Sequence, residues 1–285
     1  MKNLDVAVVG ATGALGRHVI PRLLERGHRV RALVRNDDAM HELSRQGVKA
    51  HRGDILLSET LDPIVAGADV ALHLATAIPS REDPTADWGP NDRIRREGTN
   101  KLIDACQRAG VTDYVQQSIL LLQAGHGDEW ITEDTPVTPN AITQSAADME
   151  ALVEGSGLRW ITLRGGLFYG PGTGLEDGFR KLAREGALVI PGDGRELLSL
   201  IHVSDMAAAV VDAVESDVRH AVFSVTDDAP VTYAELFEHI DALEGVERPR
   251  RGGPPILPSF RATNARTRRE LGWQPHFASF RSGLA

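Results

Sequence analysis

Three glycines, Gly10, Gly13 and Gly16, stand between an apolar run and a helical pattern. The run predicts a buried strand over 4–9, and the pattern predicts a helix over 14–25. Glycines in such a turn let the backbone bend sharply and approach a pyrophosphate at the N-terminus of the next helix. An ordinary strand–helix turn is the weaker alternative. The predicted dinucleotide site comprises Gly10, Thr12, Gly13, Ala14, Leu15 and Gly16.

The end of the second predicted strand indicates which dinucleotide is bound. NAD sites place a carboxylate there for the ribose 2′-hydroxyl, whereas NADP sites place a cation. Here that position is Val34, Arg35 follows it, and Arg17 comes directly after the last glycine. Two guanidinium groups suit a 2′-phosphate. NADP(H) is therefore predicted, the alternative being that both arginines are solvated surface residues.

The elements that must position these residues alternate between strand and helix. Strands are predicted at 4–9, 29–34, 49–52, 70–74, 113–117 and 159–163, with helices at 14–25, 39–45, 91–109 and 141–154. Such alternation predicts an α/β fold with a Rossmann-type doubly wound parallel sheet. Residues 1–164 are predicted as the dinucleotide-binding core. Residues 165–285 are predicted as a smaller, interleaved substrate lobe, with Ser204 capping a helix to 214 and a loop over 247–258.

Composition excludes several classes of protein. The 285 residues carry a formal net charge of -9, which argues against nucleic-acid or anionic-membrane partners. No apolar run is long enough to cross a bilayer, and no signal-peptide pattern precedes the first strand. The single cysteine, Cys106, falls within a helical pattern and is predicted to be buried. We expect a cytoplasmic monomer or homodimer with no metal site.

Six further segments extend the pattern along the chain. They are Gly53-Asp54-Ile55, His73-Leu74-Ala75-Thr76, Glu97-Gly98-Thr99-Asn100, the stretch 163–172, His202-Val203-Ser204-Asp205-Met206-Ala207 and Glu270-Leu271-Gly272-Trp273-Gln274-Pro275. In this order, the set resembles the extended and atypical short-chain dehydrogenase/reductases of the epimerase/dehydratase type. The likeness covers nearly the whole chain.

The resemblance implies cofactor contacts at matching positions. Those near the adenine, the phosphates and the ribose are Asp54, Ile55, Leu74, Ala75, Thr76 and Ser118. Those near the nicotinamide are Gly165, Gly166 and Leu167. His73 is interpreted instead as a core histidine with its hydrogen bonds satisfied.

At the family's catalytic positions, this chain carries residues that depart from the family's pattern. The family carries Tyr-x-x-x-Lys, whose phenol donates a proton to the reduced carbonyl. The matching positions here are Ile142 and Ala146, and no tyrosine of the chain is followed by lysine four residues later. The usual catalytic hydroxyl position is Ile119, and the family's asparagine before Glu97 is Arg95. Ser118 remains the weak catalytic candidate.

These departures predict a reductase that lacks the usual acid. Orientation of the substrate against the nicotinamide is expected to provide the rate acceleration. The proton is expected to come from water or from the substrate. Ile119, Ile142 and Tyr169 predict a pocket for a bulky apolar ketone or quinone-like aromatic polyketide of antibiotic biosynthesis, with 78–92 as a lid. The alternatives are a catalytically silent NADP(H) sensor and, less favoured, a sugar-nucleotide epimerase or dehydratase.

Overall fold

A computed structural model describes residues 3–79, 87–246, 250–254 and 256–284. Its central feature is a seven-stranded parallel sheet in the spatial order β12-β7-β5-β4-β1-β2-β3. The strands are β1 (Asp5–Val9), β2 (Arg29–Val34), β3 (Lys49–Arg52), β4 (Val70–His73), β5 (Asp113–Ile119), β7 (Arg159–Gly165) and β12 (Ala221–Val225). The predicted α/β class and doubly wound sheet are confirmed.

Strand β1 lies in the interior of the sheet, next to the middle strand β4, because its sequence is apolar on both faces. Residues 6–9 are buried, and β1 pairs in parallel with both β2 and β4. Strand β4 also pairs in parallel with β5, so that His73 lies opposite Gln116. The carboxyl ends of β1, β4 and β5 therefore meet along one edge of the sheet, where ligands of open α/β sheets bind.

The helices follow the strands in the alternating order that the pattern predicts. They are α1 (Gly16–Glu25), α2 (Asp37–Arg45), α3 (Asp62–Val65), α4 (Gly89–Arg93), α5 (Thr99–Ala109), α6 (Gln144–Glu154), α7 (Leu175–Arg184), α8 (Val203–Glu215), α9 (Tyr233–Leu243), α10 (Ala265–Leu271) and α11 (Phe280–Gly283). A π-helical turn, Ile94–Gly98, joins α4 to α5. Such turns occur often at functional sites.

Short strands complete the structure. They are β6 (Trp130–Ile131), β8 (Leu167–Tyr169), β9 (Val189–Pro191), β10 (Leu197–Leu198), β11 (Leu200–His202), β13 (Val231–Thr232), β14 (Arg250–Gly253) and β15 (Arg261–Ala262). They pair as β10 with β13, β11 with β8, β14 with β9 and β15 with β6.

The chain divides into two compact units. The first consists of Met1–Ser118, Pro139–Leu163 and Ala207–Val222, and the second consists of Ile119–Thr138, Arg164–Met206 and Phe223–Ala285. Each unit has its own apolar core. In the first, Leu102, Cys106 and their neighbours pack beneath the sheet. In the second, the core includes Tyr169 and Phe237. The predicted boundary after residue 164 stays a prediction.

Two sequence-based assignments in the C-terminal half were wrong. Helix α8 begins at Val203, so Ser204 lies inside the helix and does not cap it. The Nδ1 atom of His202 accepts the Ser204 amide proton at 3.2 Å and so satisfies a donor at the start of the helix. The segment predicted as a loop over 247–258 contains β14, because its backbone finds a distant partner in β9. Residues 247–249 and 255 of that segment lie outside the described residues.

Candidate cofactor site and its polar neighbours

Two glycines of the turn after β1 are required by the protein's own packing. Gly10 has φ +93°, and a Cβ there would lie 2.5 Å from the backbone nitrogen of Ala75. A Cβ at Gly16 would collide with the Gly10 carbonyl oxygen. These contacts bring the carboxyl ends of β1 and β4 together at the start of α1.

Gly13 differs, because the protein leaves room for a side chain there. A Cβ at this position would lie 3.4 Å from its nearest neighbour, the Gly10 carbonyl oxygen, and Gly13 is exposed without a positive φ. Packing alone therefore does not require glycine at 13. A bare backbone at the N-terminus of α1 is what close approach of a pyrophosphate requires.

The predicted 2′-phosphate arginines are both exposed. The Nε atom of Arg17 donates to the Thr12 carbonyl oxygen at 3.0 Å, which holds this side chain over the glycine turn. Arg35 follows Val34, which is buried at the end of β2. The nearest acidic residue beyond it, Asp37, is paired with Arg52 at 3.1 Å. The first carboxylate after Arg35 in the sequence is therefore already paired with another cation.

The other predicted cofactor residues of the first unit follow the carboxyl ends of β3 and β4. Asp54 accepts the Leu56 amide proton at 2.9 Å and shapes a turn, while Ile55 is buried against Gly98. Leu74 extends the pairing of β4 with β1 through its bond to the Val9 carbonyl oxygen. Ala75 lies against Gly10, and Thr76 is exposed.

Helix α6 and the turn before it carry the positions matched to the family's catalytic pair. The side chain of Asn140 accepts the amide protons of Ile142 and Thr143, which holds 141–143 as a turn, so that α6 begins at Gln144 and not at 141. Ile142 is 51% exposed, whereas Ala146 is fully buried. The assignment of both to the catalytic positions stays a prediction.

Buried polar residues surround the carboxyl ends of β4 and β5. Ser118 donates to the Glu150 carboxylate at 2.5 Å, which ties β5 to α6. Arg95, in the π-helical turn, donates through Nη1 to Ser145 Oγ at 3.3 Å. Sequence reasoning named Arg95 only as a departure from the family. The π-helical turn, which no periodicity reveals, brings its guanidinium group to α6.

His73 is buried at the end of β4, but its hydrogen bonds are not satisfied as predicted. Among the described residues, neither ring nitrogen has a hydrogen-bond partner. Burial lowers the pKa of His73 to about 4, with a smaller lowering from the charge of Arg95. The backbone of Ile94 partly opposes this lowering of the pKa, and His73 is a buried, neutral group at the sheet edge.

The second unit holds the other predicted site residues. Gly166 is packed against the Ser199 carbonyl oxygen, and Leu167 pairs through its backbone with the same residue. Gly165 is packed against Phe168, and Ile119 is partly exposed at the end of β5. These roles stay predictions.

Tyr169 is 2% exposed, and its ring packs edge-on against His202. Within the described part of the chain, its hydroxyl has no hydrogen-bond partner. Burial and the nearby Asp227 carboxyl raise the pKa of this phenol, which makes it a poor proton donor. Its predicted contact with substrate stays a prediction.

Two absences concern only the described ranges. No group of three His, Cys, Asp or Glu residues there has the arrangement of a metal site. No helix there is long and apolar enough to span a membrane.

Comparison with known proteins identifies the family. Residues 10–217 match the model of a family described as NAD(P)H-binding. The chain is also 35% identical to the 3-diazoavenalumate denitrifying reductase of a Streptomyces species, covering 99% of both chains. It is 27% identical to the 2-alkyl-3-oxoalkanoate reductase of Stenotrophomonas maltophilia, covering 86% of this chain and 77% of that protein. The chain belongs to the NAD(P)H-binding family.

Solved structures agree with this assignment. MoeE5 in complex with UDP-glucuronic acid and NAD superposes with a TM-score of 0.80 at 26% identity, covering 98% of this chain and 96% of that one. UDP-glucose 4-epimerase of Thermotoga maritima superposes with a TM-score of 0.82 at 21% identity over the same shares, which shows the fold. The protein is an NAD(P)-dependent oxidoreductase with the extended short-chain dehydrogenase/reductase architecture.

Proposed function

We propose that this protein is an NADPH-dependent reductase that transfers hydride to an electron-poor aromatic substrate without the Tyr-x-x-x-Lys pair of its family. The observation that carries the proposal is the chemistry of α6 and the turn before it. On the proposed register, an exposed isoleucine, Ile142, replaces the phenol, and a buried methyl group, Ala146, replaces the ammonium group. The site keeps its cofactor cradle and has no acid at these two positions.

An aryl diazo compound is the first substrate candidate. The similarity to the relative named 3-diazoavenalumate denitrifying reductase covers 99% of this chain. Hydride from NADPH would form an N–H bond at the terminal nitrogen of an aryl diazonium ion. The resulting aryl diazene would lose N₂ while its hydrogen moves to the ring carbon, leaving the arene and NADP⁺. This conversion consumes no proton, so it does not require the family's acid.

A ketone or quinone-like aromatic substrate is the second candidate. The similarity to a 2-alkyl-3-oxoalkanoate reductase supports carbonyl reduction. Hydride would add to the carbonyl carbon, and water or a phenol of the substrate would protonate the alkoxide. Apolar Ile119 and Ile142 suit a flat aromatic molecule. A role in antibiotic biosynthesis belongs to both candidates.

The two candidates are separated by NADPH consumption followed at 340 nm without oxygen. The panel is a ¹⁵N-labelled aryl diazo acid, a polycyclic quinone, an aromatic ketone and UDP-glucose. We expect NADPH oxidation with release of ¹⁵N₂ from the first, whereas oxidation only with the quinone or ketone would favour the second. Reactions without enzyme correct for direct reduction. Tight NADPH binding with no consumption across the panel would contradict the proposal and favour a silent sensor.

A further inference from the structure

Arg95 is a buried guanidinium group with little to compensate its charge. The residue is 4% exposed, and its one hydrogen bond goes to the neutral hydroxyl of Ser145 at 3.3 Å. A guanidinium group has five N–H donors and stays protonated in proteins. Most of its capacity to donate is therefore unused.

Within residues 3–79, 87–246, 250–254 and 256–284, no carboxylate lies within ion-pair distance of Arg95, and the charge of Asp92 acts on it only from a longer distance. Its neighbour Arg96 differs, because it pairs with Asp148 at 2.6 Å and with Asp92 at 3.7 Å. A buried charge without a partner is unfavourable for folding. Such a cation is typical of a site that receives an anion.

The groups around Arg95 also lack acceptors. Asn91 lies four residues earlier on the same helical run; its Oδ1 accepts the Ala77 amide proton at 3.0 Å, while its buried Nδ2 has no partner in the described structure. The charge of Arg95 reaches the His73 ring, which is buried and neutral. Unused donors of Arg95 and Asn91 thus lie at the carboxyl end of β4, beside a buried acceptor that has no hydrogen-bond partner among the described residues, Asp92 Oδ1. An anionic oxygen is a ligand that would satisfy the donors.

We propose that Arg95 binds the substrate oxygen on which negative charge develops as hydride leaves NADPH. That oxygen is the phenolate of an aryl diazo compound or the alkoxide of a reduced ketone. The inference rests on the proposed function. Ser145, its partner, precedes Ala146, the position where the family carries lysine, so Arg95 returns a cation to that part of α6 from the neighbouring helix. The nicotinamide loses hydride, the substrate gains it, and the charge is held on oxygen. The alkoxide of a reduced ketone then takes a proton from water, whereas the arene formed from the diazo compound keeps its phenolate and takes none.

Kinetics with Arg95→Gln and Arg95→Lys test the role in turnover. Loss of one preorganised donor to a developing oxyanion lowers turnover by roughly 100-fold or more. We expect a loss of about that size in kcat for Arg95→Gln, a smaller loss for Arg95→Lys, and an unchanged dissociation constant for NADPH. The matched control is Arg96→Gln, which removes an adjacent, paired arginine. Guanidinium chloride at millimolar concentration is expected to restore part of the activity of Arg95→Ala, whereas equal NaCl is not.

A measurement that needs no turnover separates this inference from the proposed function. The probe is 4-nitrophenol added to protein and NADP⁺ at a pH where the free phenol is mostly neutral. We expect the wild type and Arg95→Lys to bind it as the phenolate, seen as growth of the phenolate absorbance band, and Arg95→Gln to lose that band. Wild-type protein that shows no phenolate band, or Arg95→Gln that keeps it, would overturn the inference. A band without turnover of any substrate would overturn the proposed function alone.

Discussion

At the scale of single residues, the glycine turn contains two glycines that the packing of the protein requires and one that only a bound ligand would require. Gly10 and Gly16 are fixed by contacts with Ala75 and with the turn itself, so their loss would disturb folding. Gly13 has no such constraint within the protein. A substitution at 13 therefore tests cofactor binding without a large effect on packing.

We expect Gly13→Ala to raise the dissociation constant for NADPH at least about tenfold, which corresponds to about 1.4 kcal/mol. The added methyl group would occupy the space into which the pyrophosphate must come. The free energy of unfolding should change by no more than about 0.5 kcal/mol. Fluorescence titration and denaturant unfolding measure the two quantities. The control is Gly178→Ala in α7, another glycine with free space, which should bind NADPH as the wild type does.

We expect the exposed arginines at the turn and at the end of β2, Arg17 and Arg35, to determine which dinucleotide is preferred. Charge-assisted hydrogen bonds contribute about 1.5–3 kcal/mol, so Arg17→Ala and Arg35→Ala should each weaken NADPH binding by roughly 10- to 100-fold. NADH has no 2′-phosphate, and its dissociation constant should stay the same. Calorimetric titration with both cofactors checks this, with Arg45→Ala, an exposed arginine of α2, as the control. Equal weakening of NADPH and NADH would contradict a 2′-phosphate role.

At the scale of elements, α6 is attached to β5 by a hydrogen bond between two buried side chains. Ser118→Ala removes the donor to Glu150 without removing apolar volume. A buried acceptor that loses a donor costs about 1–3 kcal/mol. We expect the free energy of unfolding, measured by urea titration, to fall by that amount. Ser44→Ala, at an exposed position of α2, should be near neutral, and an equal loss at both serines would contradict the role of the bond.

The alternation of strands and helices along the chain and the glycine turn were predictable because apolar periodicity and glycine spacing are local signals. The start of α6 was not, since it depends on the Asn140 side chain capturing two amide protons. Strand β14 was missed because its arginines and glycines carry no strand pattern and are ordered by pairing with β9. The burial of Arg95 was also hidden, because an arginine in a helical pattern is normally assigned to the solvated face.

At the scale of the whole molecule, stability should depend on pH through a buried carboxyl. Asp227 is 2% exposed, and its burial raises its pKa to about 8. A hydrogen bond from the Ala229 amide opposes this rise in pKa, and the charges of the neighbouring Asp228 and Asp205 reinforce it. The folded protein therefore holds this proton up to about pH 8, while the unfolded chain releases it near pH 4. The contribution of Asp227 to stability is full below pH 4 and is lost as the pH rises to about 8.

Asp227→Asn tests this dependence, because the amide cannot release a proton. Relative to the wild type, the variant should gain stability on the order of a few kcal/mol between pH 4 and pH 9. Urea unfolding at several pH values gives the difference between the two proteins. A difference that stays constant over this range would show that Asp227 does not titrate in this way.

The central claim is hydride transfer from NADPH without the family's acid, and isotope transfer tests it most directly. Reactions with (4R)- and (4S)-deuterated NADPH are run with the aryl diazo acid and with the aromatic ketone, and the product mass is measured. We predict that one of the two labels, and only one, appears as a single deuterium in the product for each NADPH consumed. NADPH that binds tightly but passes neither label to any product would contradict the account.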